Sequence, residues 1–143
     1  MLSKTIRTPV AMAALLLAGA CASRGSADTS ADLLASLQAT TVGDSVDFHL
    51  QVTNPGSDPI ALEFDTEPIQ YFSVSRDGLP IWNSAPDLHR VDAVRVDTLQ
   101  SGETRSFHAS WAVPMGLRGT LTVIGVLRDR RRPVVQSTQF DIP

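Results

Sequence analysis

The chain has one cysteine, Cys21, one lysine, Lys4, and one tyrosine, Tyr71, among 143 residues. A single cysteine excludes an internal disulfide, so packing alone must hold the fold. Beyond residue 20, ten arginines stand against fifteen acids, and lysine is absent. That acidic balance excludes the broad basic face that nucleic acid demands, and overall it gives no strong pull towards an anionic membrane surface. No apolar run reaches the roughly 20 residues that cross a bilayer, and no stretch sustains a helical period. There is no H-x-x-H or Cys-His spacing of a zinc site, no G-x-S-x-G elbow and no glycine-rich phosphate loop. The expectation is a non-catalytic protein without metal or small-molecule cofactor.

What is present begins with an address. MLSKTIRTP supplies Lys4 and Arg7, and VAMAALLLAGA follows from Val10 to Ala20. A positive segment, a short apolar segment and small residues at its end form a secretory signal. Residues 1–20 are therefore read as a signal peptide. Ala18-Gly19-Ala20 fits ordinary cleavage, and the same residues followed by Cys21 resemble the lipobox of bacterial lipoproteins, with Ala18 where that pattern prefers leucine. Plain cleavage and lipidation both remain open. Lipidation at Cys21 is preferred, because an exported lone cysteine would otherwise be an exposed reactive thiol. The resemblance implies a diacylglyceryl thioether on Cys21. Ala22, in place of the aspartate that retains lipoproteins in the inner membrane, implies the outer membrane, facing the periplasm. Residues 21–31, including ASRGSADTS, are too polar and small to pack and read as a flexible tether.

The remaining residues, 32–143, read as one all-β domain. Val46, Phe48, Leu50 and Val52 alternate with Asp47, His49 and Gln51, the period of a half-buried strand. Ile60, Leu62 and Phe64 resume the alternation after the turn NPGSDP, as do Phe107, Ala109, Trp111 and Val113 after Ser101-Gly102-Glu103. YFSVSR, PIWN, VDAVRVDTL, TLTVIGVLRD and VVQSTQFDI supply further strands, and Leu33 to Ala39 leans the same way. Short strands broken by Gly, Pro, Asn and Asp predict an antiparallel β-sandwich of about seven or eight strands.

Four ordered stretches carry a family resemblance: LQVTNPGSDPIALEF from Leu50, IQYFSVSRDGLPIWN from Ile69, LQSGETRSFHASW from Leu99, and GTLTVIGVL from Gly119. Together they resemble the BsuPI domain, the intracellular proteinase inhibitor family. The chain departs from the family pattern at Leu121 and Ser84, where aromatics are usual. The resemblance implies an immunoglobulin-like sandwich and inhibition of a subtilisin-like serine protease. For an exported chain, such a protease would be an envelope enzyme.

The leading expectation is a cell-envelope lipoprotein whose domain binds another protein. Proteinase inhibition is the sharper alternative, and a structural role in envelope assembly through exposed strand edges is a third. Two stretches are candidate contact surfaces. The loop SAPDLHR offers Ser84, Asp87, His89 and Arg90, since binding residues concentrate in loops on rigid scaffolds. RDRRRP offers Arg130, Arg131 and Arg132 to phosphate headgroups or an acidic partner, against the plainer reading of a polar hairpin tip partly neutralised by Asp129. His49 and His108 are expected as solvated surface residues, and Trp82 and Trp111 as core.

Overall fold

The computed structural model describes residues 32–143. The expected signal peptide, Cys21 and the tether to residue 31 lie outside the described residues. Nine strands follow one another in the described chain: β1 (Leu34–Val42), β2 (Ser45–Thr53), β3 (Ile60–Glu67), β4 (Gln70–Arg76), β5 (Leu79–Asn83), β6 (His89–Leu99), β7 (Thr104–Ala112), β8 (Gly119–Leu127) and β9 (Val134–Ile142). No helix interrupts them. The count exceeds the expected seven or eight because both the weakly patterned β1 and the five-residue β5 form true ladders.

All pairings are antiparallel, and they fall into three sets: β1-β2-β7, β3-β6 and β5-β4-β8-β9. The three-stranded and four-stranded sets face one another as a sandwich. Phe48 of β2 meets Phe72 of β4 at 5.9 Å between ring centroids, Trp82 of β5 at 5.9 Å and Phe140 of β9 at 5.6 Å. Trp82 also stacks on Trp111 of β7 at 6.0 Å, so both tryptophans are core residues, as their strand phases require. The alternation of β2 explains this directly: Val46, Phe48, Leu50 and Val52 are all buried, and the residues between them face outward. Gly125 of β8 sits close under Leu37 of β1 and beside Phe72, its partner on β4. A methyl group there would meet Leu37 Cδ1 at 3.2 Å and Phe72 Cε1 at 3.3 Å.

Local sequence fixes the hairpins. Val42 pairs with Ser45 across Gly43-Asp44, with Gly43 at φ 62°, and Arg76 pairs with Leu79 across Asp77-Gly78, where both central residues have positive φ. An Asp-Gly pair is what a type I′ hairpin needs, because its left-handed backbone crowds most side chains. The V-T-N turn is built around Asn54, which is fully buried. Its amide donates to the Asp58 carbonyl at 2.8 Å and the Leu99 carbonyl at 3.1 Å, and its Oδ1 accepts the Gly56 N–H at 2.9 Å. Main-chain bonds from Asn54 N–H to the Glu103 carbonyl and from Gly102 N–H to the Asn54 carbonyl complete the knot. One side chain thereby ties the β2–β3 turn to the β6–β7 turn.

β6 departs from simple alternation. Phe64 of β3 pairs with Arg95 and Thr66 with Arg90, so Val91 to Val94 bulge out opposite Asp65 alone. Between His89 and Val96 every β6 residue except Val91 is exposed.

Candidate functional site

Contacts gather the turns and loops into two opposite ends of the sandwich. One holds the point where the described chain begins, together with the loop from β8 to β9. Asp32, Leu33 and Ala35 line one groove with Arg132, Pro133 and Val134. The other end holds the β1–β2 turn, the β7–β8 loop and the C-terminal residues. Thr41, Gly43 and Asp44 line a groove there with Met115, Leu117, Ile142 and Pro143.

The arginine loop at the first end is more ordered than a polar hairpin tip. Asp129, expected to neutralise its neighbours, is turned inward and only 2% exposed. Its Oδ1 accepts the Glu63 N–H at 2.6 Å and its Oδ2 accepts the Arg132 N–H at 2.8 Å. A buried carboxylate with both oxygens engaged is a structural bracket, since leaving those N–H groups unpaired would cost free energy. The Arg130 N–H in turn donates to the Glu63 carbonyl at 2.7 Å. β3 is therefore joined to the four-stranded set through this loop. Glu63 pairs with Arg131 at 2.8 Å. Arg128 lies 4.3 Å above the Tyr71 ring centroid, a cation–π contact. Arg130 and Arg132 make no ion pair among the described residues.

The SAPDLHR segment divides differently from the sequence reading. Ser84 is tied to β4: its Oγ accepts the Phe72 N–H at 2.8 Å, and its own N–H donates to the Phe72 carbonyl at 2.9 Å. Asp87 is exposed in the irregular stretch between β5 and β6. His89 and Arg90 are not loop residues, because β6 already begins at His89, opposite Glu67 and Thr66 of β3. The ladder continues there without burying a side chain, so hydrophobic alternation could not reveal it.

His108 is exposed as expected, and His49 corrects a second expectation. They face outward on paired positions of β2 and β7, but their rings stack at 4.1 Å. His49 Nε2 is shut off from solvent without a partner among the described residues, unlike the solvated group expected. Among the described residues no cluster of three or more His, Cys, Asp or Glu could hold a metal ion.

The second end went unnoticed in the sequence. Met115, in the β7–β8 loop, is fully exposed, and Leu79 and Val42, the strand residues beside two turns of this end, are 72% and 56% exposed. The geometry is braced: the Val113 N–H donates to the Asp44 carbonyl at 2.9 Å and the Leu117 N–H to the Pro114 carbonyl at 3.0 Å. The guanidinium of Arg76 donates to the Arg118 carbonyl, and that of Arg118 to the Pro143 carbonyl. Fixed loops presenting apolar side chains to water mark a contact surface more than scattered exposure does. The available signal was an apolar residue between Pro114 and Gly116, outside any strand period.

Comparison with known families gives one match, to the model described as BsuPI, intracellular proteinase inhibitor, over residues 33–131. The chain belongs to the BsuPI family. The matched span runs from the residue before β1 to the middle of the arginine loop, so both ends of this BsuPI domain fall largely within it. No curated protein matches the chain. Among solved structures, a β-glucosidase from Erythrobacter marinus is similar at 12% identity and a TM-score of 0.44, covering 78% of this chain and 15% of that one. The β-glucosidase from Kluyveromyces marxianus, in complex with glucose, gives 12% and 0.44, covering 80% and 14%. Spo0M, a sporulation control protein from Bacillus subtilis, gives 16% and 0.41, covering 78% and 47%. The chain thus spans less than half the length of each of these structures.

Proposed function

We propose that this BsuPI protein is a non-catalytic, protein-binding domain of the proteinase-inhibitor type, exported and held on the periplasmic face of the outer membrane by an acylated Cys21. The observation that carries the binding reading is the braced end where Met115, Leu79 and Val42 stand in water. Exposed apolar side chains on a rigid support bind a protein partner at low ordering cost. Family membership supports an inhibitor in particular. The anchor reading is supported by Cys21 directly after a signal-like segment and by the absence of any other cysteine to pair with it.

The test is a titration of the mature chain into a subtilisin-like serine protease. Loss of protease activity at near-stoichiometric concentration, with the chain intact, is the expected result. Digestion of the chain with the protease still fully active overturns the inhibitor reading. The mass of the mature N-terminus tests the anchor separately, and an unmodified Cys21 overturns it.

A further inference from the structure

We propose that the arginine loop, residues 128–133, is a docking surface for anionic phospholipid headgroups that seats the domain on its own membrane, a proposal that rests on the reading of Cys21 as an acyl attachment point. Place is the first argument. The described chain begins at Asp32, in one groove with Arg132 and Pro133. Cys21 precedes Asp32 by eleven residues, and a chain of that length spans at most ~40 Å in any conformation. β1 then carries the chain away from this end for nine residues, about 30 Å of strand. Of the two ends, the arginine loop is the one at which the chain from Cys21 enters the domain, and the Met115 end lies a strand's length further from the attachment point.

Charge is the second argument. Asp129, buried under two main-chain N–H groups, and Glu63, paired with Arg131, each offset one of the four arginines of the loop, Arg128, Arg130, Arg131 and Arg132. Arg130 and Arg132 keep their charge without an ion-pair partner among the described residues. Asp32, in the same groove, offsets part of this charge. The net acidity of the chain does not cancel the patch, because exposed charges more than about 8 Å apart are largely screened at physiological salt. Order is the third argument. The Arg130 N–H on Glu63 and the Arg132 N–H on Asp129 fix the backbone that presents both cations. Little loop entropy is lost when they meet a phosphate surface.

The experiment uses the mature chain, residues 21–143, carrying Cys21→Ser so that no acyl chain binds membranes for it. Cosedimentation is measured with vesicles of phosphatidylcholine alone and with vesicles containing phosphatidylglycerol. The expected result is association with the anionic vesicles only, abolished by high salt. Arg130→Ser with Arg132→Ser weakens it by about tenfold or more, since each cation near such a surface contributes to binding. Arg130→Lys with Arg132→Lys restores it, because a charged surface does not require the planar guanidinium fork. Tryptophan fluorescence checks that each variant is folded. Equal binding to both vesicle types, no binding to either, or serine variants that bind like the parent overturns the proposal. The N-terminal mass is independent of all these outcomes, so failure of the anchor and failure of the docking surface are told apart.

Discussion

The Glu63 N–H and the Asp129 carboxylate, 66 residues apart in sequence, meet at 2.6 Å with the carboxylate buried. That contact joins β3 to the loop after β8 and holds the arginines above it. Asp129→Ala leaves the N–H groups of both Glu63 and Arg132 without an acceptor. Each unpaired buried group costs roughly 1–3 kcal/mol. The variant is expected to lose about 2–4 kcal/mol in urea denaturation, and Asp129→Asn, which keeps one acceptor oxygen, about half as much.

Asn54→Asp preserves shape but removes both amide donors from the Asp58 and Leu99 carbonyls and places a charge in a fully buried site. A loss of about 3 kcal/mol or more is expected from the same measurement. A variant as stable as the parent would mean that the knot between the two turns carries no weight.

How much of this was legible differs from residue to residue. Phe48, Leu50 and Trp111 could be placed in the core from their period alone, because burial on one face of a strand forces alternation. The roles of Asn54 as a knot and Asp129 as a bracket could not. Their partners are 45 and 66 residues distant, and a carboxylate within an arginine run carries no local sign that it turns inward. His89 was misplaced for the opposite reason: the start of β6 buries nothing, so no pattern marks it. Met115 lies outside every strand period, and only its neighbours Pro114 and Gly116 mark the loop that carries it.

Gly125→Ala tests the spacing of the two layers. The added methyl meets Leu37 and Phe72 at 3.2 and 3.3 Å. Phe72 is fully buried and Leu37 packs half-buried against the core, so a loss of roughly 1–3 kcal/mol is expected in thermal or urea unfolding.

Met115→Asp separates binding from folding. The side chain is fully exposed, so stability should change by less than about 0.5 kcal/mol. Affinity for the protease or other captured partner is expected to fall about tenfold or more, as truncation of an apolar anchor does. Unchanged affinity would move the contact surface away from this end.

The Glu103 carboxyl accepts the Gln100 N–H at 2.7 Å, which, with help from Arg105, holds it below the usual carboxylate range despite some opposing desolvation. A lowered folded value means that its contribution to stability is present above the unfolded value and is lost as pH falls through the folded one. Glu103→Gln should therefore be less stable than the parent at neutral pH and equal to it under acid conditions below both values. Denaturation midpoints measured in a pH series from neutral into acid check this, the difference between the two proteins shrinking as pH falls.

The four-residue bulge of β6 opposite Asp65 has a consequence for how such molecules coexist at high local density. A straight, unpaired strand along one flank would let each copy extend the ladder of the next, and growth of that kind ends in filaments. Val91 to Val94 break the spacing such a ladder would need. That flank of β6 therefore offers no straight edge for a second copy to extend.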